Sequence, residues 1–176
     1  MREKGLVHIY CGDGKGKTTL AMGLCLRAAG AGRKVLIYQF MKDGSSHERR
    51  ILEKLPNVSF EGETKSVSFS FRMSEAQKQK ERERYLTQAK LVFGHAGSTG
   101  ADVLLLDEVL YAVSCGLFPE EELIRFLDHR PEQLEVILTG RDPSEAVRAR
   151  ADYISRIVKV KHPFDRGIAA REGIEF

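Results

Sequence analysis

The segment Gly12 to Thr19, "GDGKGKTT", places three glycines, two lysines and two threonines within eight residues. Glycines tolerate backbone conformations awkward for a side chain, so successive N–H groups can converge on phosphate oxygens. Gly16-Lys17-Thr18 matches the end of the phosphate-loop pattern G-x-x-x-x-G-K-[ST], with Cys11 where its first glycine stands. Gly12 and Gly14 supply the flexibility instead. In this pattern Lys17 contributes a point charge and Thr18 a hydroxyl for a metal, while Asp13 and Thr19 complete the candidate nucleotide-binding set. Lys15 adds a second ammonium at the crown, which suits a highly charged polyphosphate; the alternative is a merely exposed lysine.

An acid at the end of a buried strand is the expected companion. "VLLLDEV" supplies Asp107 and Glu108, at the sheet edge where open α/β folds bind ligands. One of these carboxylates is expected to hold Mg²⁺ directly or through water, because that cation favours phosphates plus one or two carboxylates. The plainer alternative is an acidic pair that caps the next helix. Together the two motifs predict a Mg–nucleotide site.

Such a site needs a strand before the loop and a helix after it. "LVHIYC" and "KVLIYQF" read as strands, and "KTTLAMGLCLRAAGAG" between them as a helix with Leu20, Leu24 and Ala28 on one face. "ADVLLLDEV" is an apolar run suited to a sheet covered on both sides. "PEEELIRFLDHR" predicts a helix, "EVILTGR" a strand, and "DPSEAVRARA" a helix with Asp142 as N-cap and Pro143 at its first position. "DYISRIVKVK" predicts a last strand. In the middle, Ser74 is the expected N-cap of a helix with Leu86, Ala89 and Phe93 at helical spacing, and "QKQKERER" most simply its solvated face, a nucleic-acid role being the minor alternative. "NVSFEGETKSVSFSFR" reads as strand or loop. The expectation is one α/β domain over residues 1–176 with a mainly parallel sheet.

Composition narrows the setting. A net charge of +3 over 176 residues gives no reason to expect a nucleic-acid partner. The longest apolar runs are too short to span a bilayer, so no membrane partner is expected. The first strand begins within a few residues of Met1, leaving no room for a signal peptide. Cys11, Cys25 and Cys115 are odd in number and widely spaced, which fits neither a disulfide framework nor a zinc site and points to a reducing cytoplasm.

Phosphate loops serve kinases, ATPases, switches and ligases alike, so the motifs leave the reaction open. No stretch stands out as guanine-reading, and no acceptor site or lid of a small-molecule kinase is evident. Arg141 in "TGR" could be cast as an arginine finger of an ATPase.

The chain as a whole resembles the P-loop ATP:corrinoid adenosyltransferases, the cob(I)alamin adenosyltransferase family. The likeness runs through "GDGKGKTTLAMGLCLRAAGAGRKVLIYQFMK", "VLLLDEVLYAVSCGLFPEEEL", "RPEQLEVILTGRDP" and "VKHPFDRGIAAREGIEF", in that order. It implies a P-loop NTPase-like (RecA-like) three-layer fold, a homodimer, and transfer of the 5′-deoxyadenosyl group of Mg·ATP to the Co(I) centre of a corrinoid. Triphosphate is released, from a nucleotide held reversed with its γ-phosphate deep in the loop. A flavoprotein is the expected reductant. Lys15 and Lys17 would stabilise the leaving group, and Mg²⁺ would sit on Thr18 and Glu108. The rivals are a P-loop phosphotransferase or ATPase, and an adenosylcorrinoid carrier with low turnover.

Well-known members hold the corrinoid with a Phe-x-Trp pair. This chain has no tryptophan, and Phe69 and Phe71 in "SFSFR" stand at that spacing, or else form a half-buried strand face. Some members also carry an N-terminal lid helix, expected to be missing here. Arg141 and His162 match family signatures and would contact phosphate or ribose, or fix the C-terminal segment. Tyr111 would line the corrinoid pocket or pack, Gln39 would meet ligand or end a strand, and His8 is expected to pack.

Overall fold

The computed structural model describes residues 4–62 and 73–175. Apolar, largely β-branched and aromatic runs form β1 (Val7–Cys11), β2 (Val35–Gln39), β3 (Val58–Glu61), β4 (Val103–Asp107), β5 (Glu135–Gly140) and β6 (Tyr153–Arg156). They make one sheet in the order β3-β2-β4-β5-β1-β6, with every pairing parallel. The helices are α1 (Lys17–Gly30), α2 (His47–Leu52), α3 (Glu75–Ser98), α4 (Val109–Ser114), α5 (Glu120–His129) and α6 (Glu145–Arg148).

Side chains alternate across a strand, so a sheet covered on both faces needs apolar residues at every position. Val35, Ile37, Val103, Leu105 and Ile137 pack with α1 on one face. Leu36, Tyr38, Leu104, Leu106, Val136 and Leu138 pack with residues of α3, α4 and α5 on the other. The result is the three-layer α/β arrangement that the sequence predicts.

Three details differ from expectation. The buried stripe of α1 is Ala21, Met22, Cys25 and Ala29, whereas Leu20 is 51% exposed and Leu24 and Ala28 flank the core. Both stripes have helical spacing and lie one residue apart, so the loop that aims the helix chooses between them. Asp142 is not a cap, because its φ of 43° is left-handed; Ser144 caps α6 by accepting from the Val147 N–H at 3.2 Å. β6 ends at Arg156, well short of the predicted run, because the chain then leaves the sheet to cross the phosphate loop.

α3 follows its predicted start. Ser74 and Gln77 form a reciprocal capping box, and Lys78–Glu75 and Arg84–Glu81 pair along the polar face.

Candidate functional site

β5 lies between β1, which carries the phosphate loop, and β4, which ends in Asp107. The loop and the acid are therefore one strand apart at the same edge of the sheet, close enough for side chains to meet.

The loop keeps its shape through close backbone approach. Gly12 has φ 115°, and a Cβ there would stand 2.2 Å from the Ile157 carbonyl oxygen. Gly16, with φ 110°, is the left-handed N-cap of α1. The Ile157 N–H donates to the Cys11 carbonyl at 2.8 Å, and the Ile157 carbonyl accepts from Gly14 N–H at 2.9 Å. That last contact takes the Gly14 N–H out of the set that can converge on phosphate, since it is bound within the protein. Asp13 also turns away from the cleft. Its carboxyl accepts from the Lys159 N–H at 3.1 Å, and this bond above all holds it below its ordinary range. Gly12 and Asp13 thus brace the loop against the C-terminal segment.

Gly14 through Thr19 line a cleft of about 760 Å³, together with Met22, Leu26, Lys42, His47, Ile51, Glu108 and Gly173 to Glu175. Lys17 curls over the loop and donates to the Gly14 carbonyl at 3.0 Å. Lys15 pairs with Glu175 at 3.1 Å.

Behind the loop, Asp107 is fully buried. Its Oδ1 accepts from Thr18 at 3.0 Å and Thr139 at 2.7 Å; its Oδ2 accepts from Gln39 at 3.1 Å and meets the Lys42 ammonium at 2.7 Å. Burial alone would raise this carboxyl, but the Lys42 charge and the hydrogen bonds from Lys42, Thr139 and Gln39 outweigh it and hold it below the usual range. Lys42 also donates to Thr18 Oγ1 at 3.0 Å.

Glu108 follows with φ 60°, a left-handed turn that ends β4 and brings it to the cleft. It stands at the N-cap position of α4 but makes no side-chain cap bond, so the helix-capping alternative is not what its carboxyl does. Burial first, then Asp107, pushes its carboxyl up, opposed by Lys42, Lys17 and Arg141.

The donors fit Mg²⁺. Thr18, Asp107 and Glu108 offer hard oxygens, an ammonium already spans Thr18 and Asp107, and Gln39 Oε1 is buried without a hydrogen-bond partner among the described residues. No group of three or more His, Cys, Asp or Glu that could hold a metal occurs among the described residues, and Mg²⁺ characteristically completes its shell with phosphate and water.

Other candidates fall elsewhere. Arg141 is exposed with its guanidinium 5.9 Å from the Tyr111 ring centroid, and acts on Glu108 through its charge alone. His162 caps the 3-10 turn Pro163–Arg166 by accepting from the Phe164 N–H, so it fixes the C-terminal segment. His8 pairs with Glu135 and stacks on Tyr153. Phe69 and Phe71 lie outside the described residues. The reading of motifs missed Lys42 and Thr139. Both stand within segments that carry the family likeness, but neither the phosphate-loop pattern nor the acidic strand singles them out; Thr139 lies near the end of β5 and Lys42 in the turn after β2, the two strands that flank β4.

A glycine loop between β1 and the helix that Lys17 begins, facing a buried strand-end acid across one strand, defines a P-loop nucleotide-binding protein. Its type is narrower than that. Residues 3–176 match the family described as ATP:corrinoid adenosyltransferase BtuR/CobO/CobP. The chain is 34% identical over 175 residues to the corrinoid adenosyltransferase of Escherichia coli (strain K12), covering 99% of this chain and 87% of that protein. It is 34% identical over 178 residues to the corrinoid adenosyltransferase CobA of Salmonella typhimurium, with the same coverage of 99% and 87%. A solved structure, domain III of the replication initiation protein DnaA from Thermotoga maritima, is similar at a TM-score of 0.40 and 18% identity, over 89% of this chain and 55% of that one. The chain belongs to the ATP:corrinoid adenosyltransferase family, a family of transferases whose substrates are ATP and a corrinoid.

Proposed function

We propose that this chain, as one domain over residues 1–176, transfers the 5′-deoxyadenosyl group of Mg·ATP to the Co(I) centre of a corrinoid and releases triphosphate. The observation that carries the reading is the company the phosphate loop keeps. Lys15, Lys17, Thr18 and Glu108 line the same cleft as Met22, Leu26 and Ile51, so one cavity offers charge for polyphosphate and apolar surface for a larger ligand.

In this reaction the electron pair of Co(I) forms the bond to C5′ as the C5′–O bond breaks, and that bond's electrons leave with triphosphate. The nucleophile arrives deprotonated, so the protein's tasks are alignment and stabilisation of the leaving charge. Lys15 and Lys17 place two cations on the polyphosphate, and the N-terminus of α1 adds its free N–H groups and positive dipole end. The nucleotide lies reversed, with the γ-phosphate deepest, because C5′ rather than the γ-phosphorus must be exposed. Asp107, buried beneath the loop, orients the Thr18 hydroxyl. Mg²⁺ held by Thr18 and Glu108 would supply fixed positive charge to the leaving oxygens. Gly12 and Asp13 maintain the loop, Thr19 lines it, and Arg141 tempers the charge on Glu108.

Phe69 and Phe71 are assigned to the corrinoid on the strength of the family's aromatic pair. A homodimer is part of the same reading, supported by exposed Tyr153 and Ile154 on the edge strand β6. A flavoprotein electron donor and a cytoplasmic setting complete it. Cys11 and Cys25 are free thiols, as a reducing compartment would keep them. Among the described residues no helix is long and apolar enough to cross a membrane.

The test is an anaerobic reaction of chemically reduced corrinoid with Mg·ATP, following loss of Co(I) absorbance and identifying the phosphate product. Cobalt–carbon bond formation with matching triphosphate supports the reading. ADP without alkylation would indicate a phosphotransferase or ATPase instead.

A further inference from the structure

Lys42 lies outside both the phosphate-loop pattern and the acidic strand, yet it contacts the two groups at the heart of the site. Its ammonium is 2.7 Å from Asp107 Oδ2 and 3.0 Å from Thr18 Oγ1. We propose that Lys42 is a resident cation of the metal position, holding Asp107 and Thr18 together in the nucleotide-free protein and giving way to the divalent metal only when polyphosphate arrives to receive its ammonium. This rests on the Mg·polyphosphate reading above.

The need for a cation follows from burial. Asp107 has no exposed surface, and a buried carboxylate requires a paired charge. Lys42 is the ammonium that meets it, while Gln39 and Thr139 supply neutral donors. Thr18 is committed as well. Its hydroxyl proton goes to Asp107 and one lone pair accepts from Lys42, leaving one lone pair for anything else. A divalent ion on that lone pair would stand beside the ammonium, and like charges repel at such range. Metal without phosphate therefore competes against an occupant already paired to the acid.

Lys42 has a way out. Its side chain is 25% exposed and lines the same cleft as Lys15 and Lys17. Its direction is set by the preceding residue. Met41 holds φ 55°, a left-handed conformation unusual for a side-chain residue, and its N–H is tethered to the buried Tyr85 hydroxyl at 3.0 Å. Strain of this kind persists where surrounding structure enforces it, commonly at functional sites. The turn after β2 thus aims Lys42 back at β4. When polyphosphate fills the loop, its negative oxygens offer the ammonium a new partner, and the metal takes over the charge on Thr18 and the acids.

The experiment is equilibrium dialysis of Mn²⁺, as a stand-in for Mg²⁺, against the full chain with neither corrinoid nor reductant present. Wild-type protein is expected to retain Mn²⁺ stoichiometrically with tripolyphosphate and only weakly without it. Lys42→Met should bind Mn²⁺ without polyphosphate on the order of tenfold more tightly than wild type. Lys42→Arg, which keeps the charge, should behave as wild type. The double variant Lys42→Met/Asp107→Asn should lose the gain, because the acid that needs a cation is gone. Equal retention by Lys42→Met and wild type overturns the proposal. So does stoichiometric uptake by wild type without polyphosphate, an arm that stands even if Lys42→Met fails to fold. Failure of adenosyl transfer in the anaerobic assay would instead sink the functional reading and leave the dialysis result standing.

Discussion

The Lys15 ammonium at the crown of the phosphate loop lies 3.1 Å from the carboxylate of Glu175, 160 residues further along the chain. Glu175 is also held by Arg171, whose guanidinium and N–H both reach it, and Glu172 pairs with His47 at 3.3 Å. The C-terminal segment therefore ties the loop to α2 and forms part of the cleft wall. If this strap shapes the nucleotide site, Glu175→Ala should raise KM for ATP roughly three- to tenfold with a smaller change in kcat. Steady-state kinetics under saturating corrinoid would show it, and an unchanged KM would reduce the strap to a surface contact.

The Arg171–Glu175 pair within the strap has a defined pH response. Arg171 first, with Lys15 assisting, lowers the Glu175 carboxyl from 4.5 to about 2. A depressed acid favours the ordered Arg171–Glu175 turn above the unfolded value, and that contribution is lost as pH falls from there through about 2. The strap should stay docked throughout the neutral range. Hydrogen exchange at 171–175 measured across pH, corrected for intrinsic rates, should show constant protection at neutral pH and loss only in acid.

Lys17→Ala should lower adenosyl transfer by about 10²–10³-fold, the usual cost of removing a group that stabilises developing negative charge. Among the described residues Lys17 bonds only the Gly14 carbonyl, so circular dichroism should find the fold intact. A loss smaller than tenfold would place the leaving group elsewhere.

Glu108 is pushed up by burial and by Asp107, so its ionised form opposes folding. Its proton is held more tightly in the folded state, which means its effect on stability worsens as pH rises above the unfolded value of 4.5. Glu108→Gln should therefore raise Tm of the nucleotide-free protein at neutral pH while weakening Mg²⁺-dependent transfer. A fall in both would assign Glu108 a structural role instead.

Gly12→Ala combines a left-handed backbone with a Cβ placed 2.2 Å from the Ile157 carbonyl. The backbone conformation alone costs about 1–2 kcal/mol, and the clash must also push the crossing segment away. Thermal unfolding should show a drop of at least that size, with weakened ATP binding. Gly16→Ala meets no neighbour within 4 Å and should show the backbone cost alone.

Much of the protein is local chemistry, and local chemistry is legible along the chain. The continuous apolar run before Asp107 announced a strand covered on both faces, and Ser74 announced the start of α3. The glycines and lysines of the loop declared a phosphate site because backbone freedom and charge belong to residue types. Where two readings used the same period, as with the stripes at Leu20 and Ala21, propensity could not choose, and packing against the sheet did.

Residue types and spacing by themselves determined that this chain builds a parallel α/β sheet around a phosphate loop, and the order of its motifs placed it among the corrinoid adenosyltransferases. The tertiary structure alone decided which groups meet. It turned Asp13 away, took the Gly14 N–H into the protein, set Glu175 on Lys15, and brought Lys42 and Thr139 onto Asp107. Those contacts join residues on different strands and loops, and their partners are chosen by strand order and chain crossing, which no local pattern encodes. A buried charge needs a partner wherever the fold can supply one, and here the fold supplied a lysine from outside the phosphate-loop and acidic-strand patterns.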